Sequence, residues 1–274
     1  MKYPDFLELT SLLDDDILLV HQASTMTLKK IKLSTLKQYI GVSGGGSVPS
    51  NLPNPVDGYV KWFRFDSITL SGNDVLAIKD KSLNANHLAP IGATPTLVSD
   101  AINGRNAIKF QNSGLKTQAE SYAAKTIYMV FRNLTNTFST YNGYLSYRAN
   151  NANVAAASNE LLLIGGVPGT NQVTGEAATG VYLDNIPGDV SAYSNYTSGI
   201  PIGDVGQFHL IENICSTSTV GIKTLCVGID VFENARTLVN SDIAEIIIYP
   251  NLLSSSDRVA MNTYFKSMYN FSFL

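Results

Sequence analysis

Residues 243–249 read IAEIIIY, and residues 254–269 read SSSDRVAMNTYFKSMY. The first run is short and dominated by β-branched and aromatic side chains, which favours a buried strand. In the second, Ser254 can cap a helix, with Asp257 three residues further on. Apolar side chains then recur at helical spacing at Met261, Tyr264, Phe265, Met268 and Tyr269. The pattern predicts a helix that docks this face on the core of its own domain, in preference to an aromatic ligand groove.

The chain upstream contains further short runs of the same kind, at 60–65, 107–110, 126–131, 161–164, 208–214 and 225–231. Clusters of Gly, Asn, Asp and Pro separate them, as expected for strands joined by turns. No helical pattern alternates with these runs, which argues against a parallel βαβ sheet. Residues 58–274 are therefore predicted to be mainly β, an antiparallel jelly-roll β-sandwich with one C-terminal helix.

The first 40 residues have a different pattern. Short strands are predicted at 17–20 and 26–33, followed by a helix of under two turns at 35–40. A unit this small cannot bury its own apolar face, so residues 1–40 are expected to be an assembly or docking segment rather than a loose tail. Residues 41–57 contain Gly44-Gly45-Gly46-Ser47 and three prolines, which predicts a linker.

Composition narrows the classes of function. Charged residues make up 15% of the 274, and the formal net charge is −3. No basic field is available for nucleic acid, and no run reaches the roughly 18 apolar residues of a membrane helix. The first ten residues include Pro4, Asp5 and Glu8 and do not read as a signal peptide, so synthesis in a cytoplasm is expected.

Two stretches of the large domain carry a family resemblance. The first comprises Trp62, 75–82, 86–87, 95–98, 102–105 and 107–110. It resembles the opening of the concanavalin A-like (laminin G-like) domains of bacterial and phage surface proteins. Residues 243–249, with Leu253-Ser254 and the helix that follows, are similar to the closing strand and terminal helix of that group. The resemblance covers both ends of 58–274 but not the middle, at about 135–205, and its fold hosts lectins, adhesins, glycosidases and lyases.

The N-terminal segment is similar to the assembly segments of phage tail fibres and tail-associated proteins, through Leu9-Thr10, Asp14-Asp15-Asp16 and 29–37. The resemblance implies a receptor-binding homotrimer in the virion tail, made in the host cytoplasm. Residues 1–40 would bind other phage tail proteins, and the sandwich would bind host cell-surface polysaccharide. The alternatives are a purely structural tail or baseplate decoration and a polysaccharide-degrading enzyme.

Catalytic residues are not expected. A retaining glycosidase needs two carboxylates about 5 Å apart. Asp242 and Glu245 are three residues apart, so in a regular strand they would face opposite sides. Glu212 and Asp230 lie on separate predicted strands with no spacing signal, and no histidine has a second ligand at metal-binding spacing. The chain is therefore predicted to be non-enzymatic.

Tyrosines among Asn and Asp residues give the candidate glycan-binding set: Tyr141, Tyr144, Tyr182, Asp184, Asn185, Tyr193, Asn195 and Tyr196. Tyrosine offers a flat apolar face and a hydroxyl, while Asn and Asp can bond sugar hydroxyls. The competing interpretation is that these tyrosines face the core or a trimer contact.

Two further expectations concern loops. Asp184, Asp189 and Asp204, with Asn185 and Asn195, could supply oxygen ligands to calcium, although loop acids usually serve as turn formers. Cys215 and Cys226 flank residues 216–221. A symmetric hairpin about that turn would place them face to face, but a chain made in a cytoplasm is expected to keep both thiols reduced.

Overall fold

The computed structural model describes residues 17–22, 27–32, 53–139, 142–149, 161–175, 178–193, 198–215, 222–229, 238 and 240–274. The chain divides into two compact units, Met1–Leu52 and Pro53–Leu274. The division falls within the stretch predicted as a linker.

The first unit contains an antiparallel pair of strands, β1 (Ile17–Gln22) and β2 (Thr27–Lys32). Their register runs from Ile17 opposite Lys32 to Gln22 opposite Thr27. The hairpin predicted in this region is therefore present, with strand ends shifted by one or two residues. The helix predicted at 35–40 lies outside the described residues.

The second unit is built from short strands. In chain order they are β3 (Lys61–Arg64), β4 (Ile68–Ser71), β5 (Asp74–Ile78), β6 (Ala89–Gly92), β7 (Thr96–Ile102), β8 (Arg105–Phe110), β9 (Ser113–Lys116), β10 (Glu120–Ser121), β11 (Thr126–Asn133), β12 (Gly143–Ala149), β13 (Leu161–Gly166), β14 (Gln172–Thr174), β15 (Ala178–Leu183), β16 (Ile186–Pro187), β17 (Ile200–Pro201), β18 (His209–Cys215), β19 (Ile222–Val227) and β20 (Ser241–Tyr249). Helix α1 (Val190–Tyr193) is a single turn, and helix α2 (Ser255–Tyr269) follows the last strand.

The strands form two large antiparallel sheets. The ten-stranded sheet has the order β16-β15-β18-β11-β20-β8-β7-β5-β4, with β3 also paired to β20. The eight-stranded sheet has the order β17-β14-β13-β12-β19-β9-β6, with β10 also paired to β19. Apolar side chains from both sheets form one core cluster, including Phe63, Ile127, Leu163 and Val227. The predicted class, a mainly β antiparallel sandwich with a C-terminal helix, is confirmed.

Strand β20 explains why residues 243–249 are apolar almost throughout. All nine residues of β20 are buried: Ile243, Ile246 and Ile248 belong to the core, and on the other face Glu245 and Tyr249 bond to side chains of α2. The five residues that sequence periodicity assigned to the docking face of α2 are also the five that are buried. Ser254 caps α2 as predicted, accepting a hydrogen bond from the Asp257 amide at 3.1 Å. Neither helix among the described residues combines the length and apolarity needed to cross a membrane.

A β-bulge in β20 overturns one expectation. Phe131 pairs with Ile243 while its neighbour Val130 pairs with Glu245, which leaves Ala244 without an opposite residue. The extra residue reverses the alternation of faces. Asp242 and Glu245 consequently share the outer face of the sheet, and the prediction that they point to opposite sides is wrong.

The two cysteines lie in different sheets. Cys215, at the end of β18, pairs with Ala178 in the ten-stranded sheet, whereas Cys226, in β19, pairs with Ser146 in the eight-stranded sheet. Each is a buried thiol. The interpretation that a symmetric hairpin places the two cysteines face to face is therefore wrong, because the chain passes from one sheet to the other between them.

Candidate functional site

A tight turn at one end of the ten-stranded sheet brings several predicted site residues together. Asp184 and Asn185 connect β15 to β16, and their φ angles are +54° and +64°. Two consecutive positive φ values define the type I′ turn that suits the twist of a hairpin. Asp and Asn tolerate this left-handed conformation better than other residues with a Cβ. The local sequence therefore fixes a rigid corner.

The corner is anchored to β18 through Asp184. One carboxylate oxygen accepts a hydrogen bond from the Leu210 amide at 2.9 Å, and the other lies 2.7 Å from Nδ1 of His209. Nε2 of His209 lies 3.2 Å from the Asp204 carbonyl oxygen. Both ring nitrogens thus face acceptors, an arrangement that only the charged imidazolium satisfies fully. Burial lowers the pKa of His209, but the Asp184 carboxylate and the Asp204 carbonyl outweigh it, and the net shift is upward.

Helix α2 adds an arginine to the corner. The Arg258 guanidinium carbon lies 4.2 Å from the centre of the Tyr182 ring. The same guanidinium binds Glu212 through two parallel contacts of 2.7 and 2.5 Å. Glu212 also accepts a hydrogen bond from the Tyr128 hydroxyl at 3.0 Å. These bonds fix Arg258, which in turn covers one part of the partly buried Tyr182 ring.

An amide pair completes the corner. Nδ2 of Asn262, one turn of α2 beyond Arg258, donates to Oδ1 of the exposed Asn185 at 3.3 Å. We call Tyr182, Asn185, Arg258 and Asn262 the turn surface. Its neighbours in sequence, Ile186 and Val259, are 67% and 65% exposed. The surface thus combines an aromatic ring, two amides and exposed aliphatic groups on a rigid support.

The structure divides the predicted glycan-binding set into three groups. Tyr182, Asp184 and Asn185 meet at the corner described above. Tyr144 and Tyr193 are fully buried: the Tyr144 hydroxyl lies 3.1 Å from Oγ of Ser241, and the Tyr193 hydroxyl donates to the Leu163 carbonyl at 3.1 Å. A ring without exposed area cannot stack on a sugar, so both residues are corrected to core positions. Tyr141, Asn195 and Tyr196 lie outside the described residues.

Sequence reasoning missed the contribution of α2 to the corner. Arg258 and Asn262 are four residues apart, so they lie on one side of the helix. That side flanks the aromatic stripe already recognised at Met261, Tyr264 and Phe265. A polar pair at i and i+4 beside the docking face of the helix was the signal available in the sequence. Only the fold shows that this pair lies next to the Asp184-Asn185 turn.

The two buried carboxylates of β20, Glu245 and Asp242, have internal partners. Glu245 accepts hydrogen bonds from Nε1 of Trp62 at 2.7 Å and from the hydroxyls of Tyr264 and Tyr269 at 2.5 and 2.9 Å. Burial raises the pKa of Glu245, and these hydrogen bonds only partly offset the rise. Although the bulge brings Asp242 to the same face, its Oδ2 is bound by Arg132 at 2.7 Å. Glu245 is thus enclosed by three side-chain donors, whereas Asp242 is ion-paired through one of its two oxygens.

A second buried polar cluster lies where β3 meets the 79–87 segment. Lys61, which is fully buried, bonds the Asp80 carboxylate at 2.9 Å and also contacts Glu120. Asp80 accepts hydrogen bonds from the Trp62 and Ser82 amides, and its own amide donates to Nδ1 of His87 at 3.1 Å. The contact gives His87 a structural role in this segment.

Two of the three loop acids considered for calcium, Asp184 and Asp189, have other partners. Asp184 is held by His209, and Asp189 accepts hydrogen bonds from the amide and hydroxyl of Ser191 at the start of α1. In the parts of the chain that the structure describes, no three His, Cys, Asp or Glu side chains form a group able to hold a metal ion. Asn195 is outside those parts.

No protein-family model, curated protein or solved structure matches this chain. The family resemblances therefore depend on the sequence motifs alone.

Proposed function

We propose that the chain is a non-enzymatic component of a phage tail, a fibre or tail-associated protein, whose sandwich binds glycan on the host surface. In this proposal the sandwich is a concanavalin A-like jelly roll. Residues 1–40 bind other tail proteins and assemble the chain as a homotrimer. The sandwich architecture, the motifs at both of its ends and the turn surface support this assignment.

The observation that carries the glycan-binding role is the amide pair Asn185–Asn262 on a fixed type I′ turn. Amide groups offer both donors and acceptors, the combination that sugar hydroxyls require. Tyr182 and the exposed Ile186 add the apolar surface against which sugar C–H groups can pack. Because the turn is preorganised, little conformational entropy is lost when a ligand binds.

The charges around the turn surface favour a neutral glycan. Arg258 is neutralised by Glu212, and His209 is paired with Asp184. An acidic sugar would have to compete with those carboxylates for their cations. We therefore expect neutral, hydroxyl-rich polysaccharide to bind better than anionic polysaccharide, with little dependence on salt.

The test uses purified protein and a panel of neutral and acidic bacterial surface polysaccharides. Retention and the release of new reducing ends are measured on each. The double variant Asn185→Gly/Asn262→Ala should bind a retained neutral polysaccharide roughly tenfold more weakly, because its hydroxyls lose their amide partners. Asn73→Ala is the matched control, since Asn73 is exposed in the β4–β5 turn, at the opposite end of the strand order.

The outcomes separate three classes of protein. Retention without release, lost in the double variant and kept in Asn73→Ala, supports the adhesin. Release of reducing ends would instead favour a polysaccharide-degrading enzyme. Absence of both signals would favour a structural decoration protein that contacts only other virion proteins.

A further inference from the structure

The strand orders of the two large sheets end at four strands, and three of these contain proline. Pro187 lies in β16, Pro201 in β17 and Pro90 in β6. Proline on an edge strand removes an amide donor and discourages pairing with another chain. The fourth, β4, reads Ile-Thr-Leu-Ser and contains neither proline nor a charged residue. Among the strands that the structure describes, it is the end strand with neither of these protections.

The hydrogen bonding of β4 shows which backbone groups face outward. The Lys79 amide donates to the Ser67 carbonyl at 2.9 Å, so at this position the facing backbone groups of the two strands point toward each other. Ile68 and Ile78 are the next pair along the two strands. The amide and carbonyl of Ile78 bond to Leu88, on the side away from β4. By the alternation of an antiparallel ladder, the amides and carbonyls of Ile68 and Leu70 point away from β5. The bulge in this hairpin falls on β5, so β4 keeps its regular alternation.

The side chains of β4 also suit a second strand. Ile68 packs at the margin of the core, and Leu70, opposite the buried Val75, is 38% exposed. A strand added beside β4 would extend this face of the sheet and cover Leu70. Thr69, on the other face, is exposed.

We propose that β4 pairs antiparallel with β4 of a second copy of this chain, with Thr69 opposite Thr69. In this register Ile68 of one copy faces Leu70 of the other. Both residues present outward amides and carbonyls, so each Ile68–Leu70 pair exchanges two hydrogen bonds. The pairing is symmetric, as a twofold interface requires.

The composition of β4 identifies the occupant as a second copy. Every residue that the register brings together is uncharged, so self-pairing sets no like charges against each other. Aliphatic side chains face aliphatic side chains, and Thr faces Thr. A strand of four residues buries less than the roughly 1,200 Å² of a stable interface, so the association is weak and depends on concentration.

This interface uses neither residues 1–40 nor the turn surface. It can join two single chains or two oligomers, whatever oligomeric state residues 1–40 produce. The proposal is therefore independent of the glycan-binding function.

The test is sedimentation equilibrium of the full chain over a range of concentrations. The wild-type mass should rise toward twice that of the smallest assembly as concentration increases. Leu70→Lys should weaken this association at least roughly tenfold, because a charge would lie between the paired strands. Leu83→Lys, the same change at a fully exposed leucine outside β4, should behave like the wild type.

Hydrogen exchange on the wild type provides a measurement that needs no variant. The amides of Ile68 and Leu70 should gain protection as concentration rises, whereas the Thr69 amide, which faces β5, should be protected at every concentration. A mass that does not change with concentration would overturn the proposal. So would association that is equal in Leu70→Lys and Leu83→Lys, or protection at Ile68 and Leu70 that does not depend on concentration.

Discussion

Helix α2 covers one part of the outer face of the ten-stranded sheet and only borders another, and polar residues behave differently in the two. Beneath the helix, Glu245 is fully buried and accepts three hydrogen bonds from side chains. At the border, Asn185 is exposed and bonds a single amide, that of Asn262. Burial turns polar groups into fixed internal contacts, whereas exposure on a rigid turn leaves their bonding capacity available to a ligand.

The largest effect is expected at Glu245. Glu245→Ala leaves the Trp62 indole and the Tyr264 and Tyr269 hydroxyls without their acceptor in a buried site. We expect a loss of about 3–5 kcal/mol in the free energy of unfolding, measured by urea denaturation. Glu245→Gln keeps one acceptor oxygen and should cost less.

Leu83→Ala is the control for this measurement, because Leu83 is fully exposed. A loss at Glu245 no larger than that control would show that the hydrogen bonds beneath α2 do not hold the helix on the sheet.

Arg258 lies between the two regions and should have the next largest effect. Arg258→Ala leaves the Glu212 carboxylate buried without its bidentate partner. The Arg258 side chain is 27% exposed, so the expected cost is below that of a fully buried pair, at about 2 kcal/mol. Arg258→Lys should recover only part of it, since an ammonium cannot bind both oxygens in parallel. Equal stability of the Lys variant and the wild type in urea denaturation would contradict this explanation.

The corner should also have a pH-dependent contribution from His209. The pKa of His209 in the folded protein is raised above the usual value, by Asp184 and the Asp204 carbonyl acting against burial. The stabilisation is thus fully present below about pH 6.5 and is lost as pH rises through the raised pKa. We expect His209→Gln to cost about 1–2 kcal/mol at about pH 5.5 and progressively less at higher pH, as measured by urea denaturation.

Asp184→Asn provides the matched control for that profile. Its amide oxygen can still accept the Leu210 hydrogen bond, but the charge that favours the imidazolium is gone. The pH dependence should therefore flatten in this variant too. A slope that persists in Asp184→Asn would assign the titration to another group.

The sequence predicted the elements in which local pattern and tertiary burial agree. In α2 a cap and a helical apolar stripe coincide, and all five stripe residues are buried. The bulge at Ala244 has no such signal, because a run of apolar residues looks the same with or without an extra residue. The exchange of sheets between Cys215 and Cys226 is likewise a property of chain path rather than of local composition.

The candidate site was predicted in part for a similar reason. Asp184-Asn185 is recognisable because turn chemistry is local, and Tyr182 precedes it closely. Tyr144 and Tyr193 look the same as Tyr182 in sequence, since each lies near Asn, Ser or Asp. What separates them is which face their element turns to the core, and that is decided by distant strands. Composition can therefore locate a polar loop without saying which of its aromatic rings is exposed.

The smallest expected effect separates the two roles of Asn185. Its φ of +64° suits Gly and Asn but strains Ala, so Asn185→Ala should lower the free energy of unfolding by about 1 kcal/mol while Asn185→Gly is nearly neutral. Both variants remove the amide that bonds Asn262. If both variants lose binding to neutral polysaccharide equally and only Asn185→Ala is less stable, the Asn185 side chain binds the polysaccharide and its backbone conformation stabilises the turn. If polysaccharide retention instead follows stability, Asn185 acts only by shaping the turn, and the contrast between the buried and exposed parts of this face would not extend to binding.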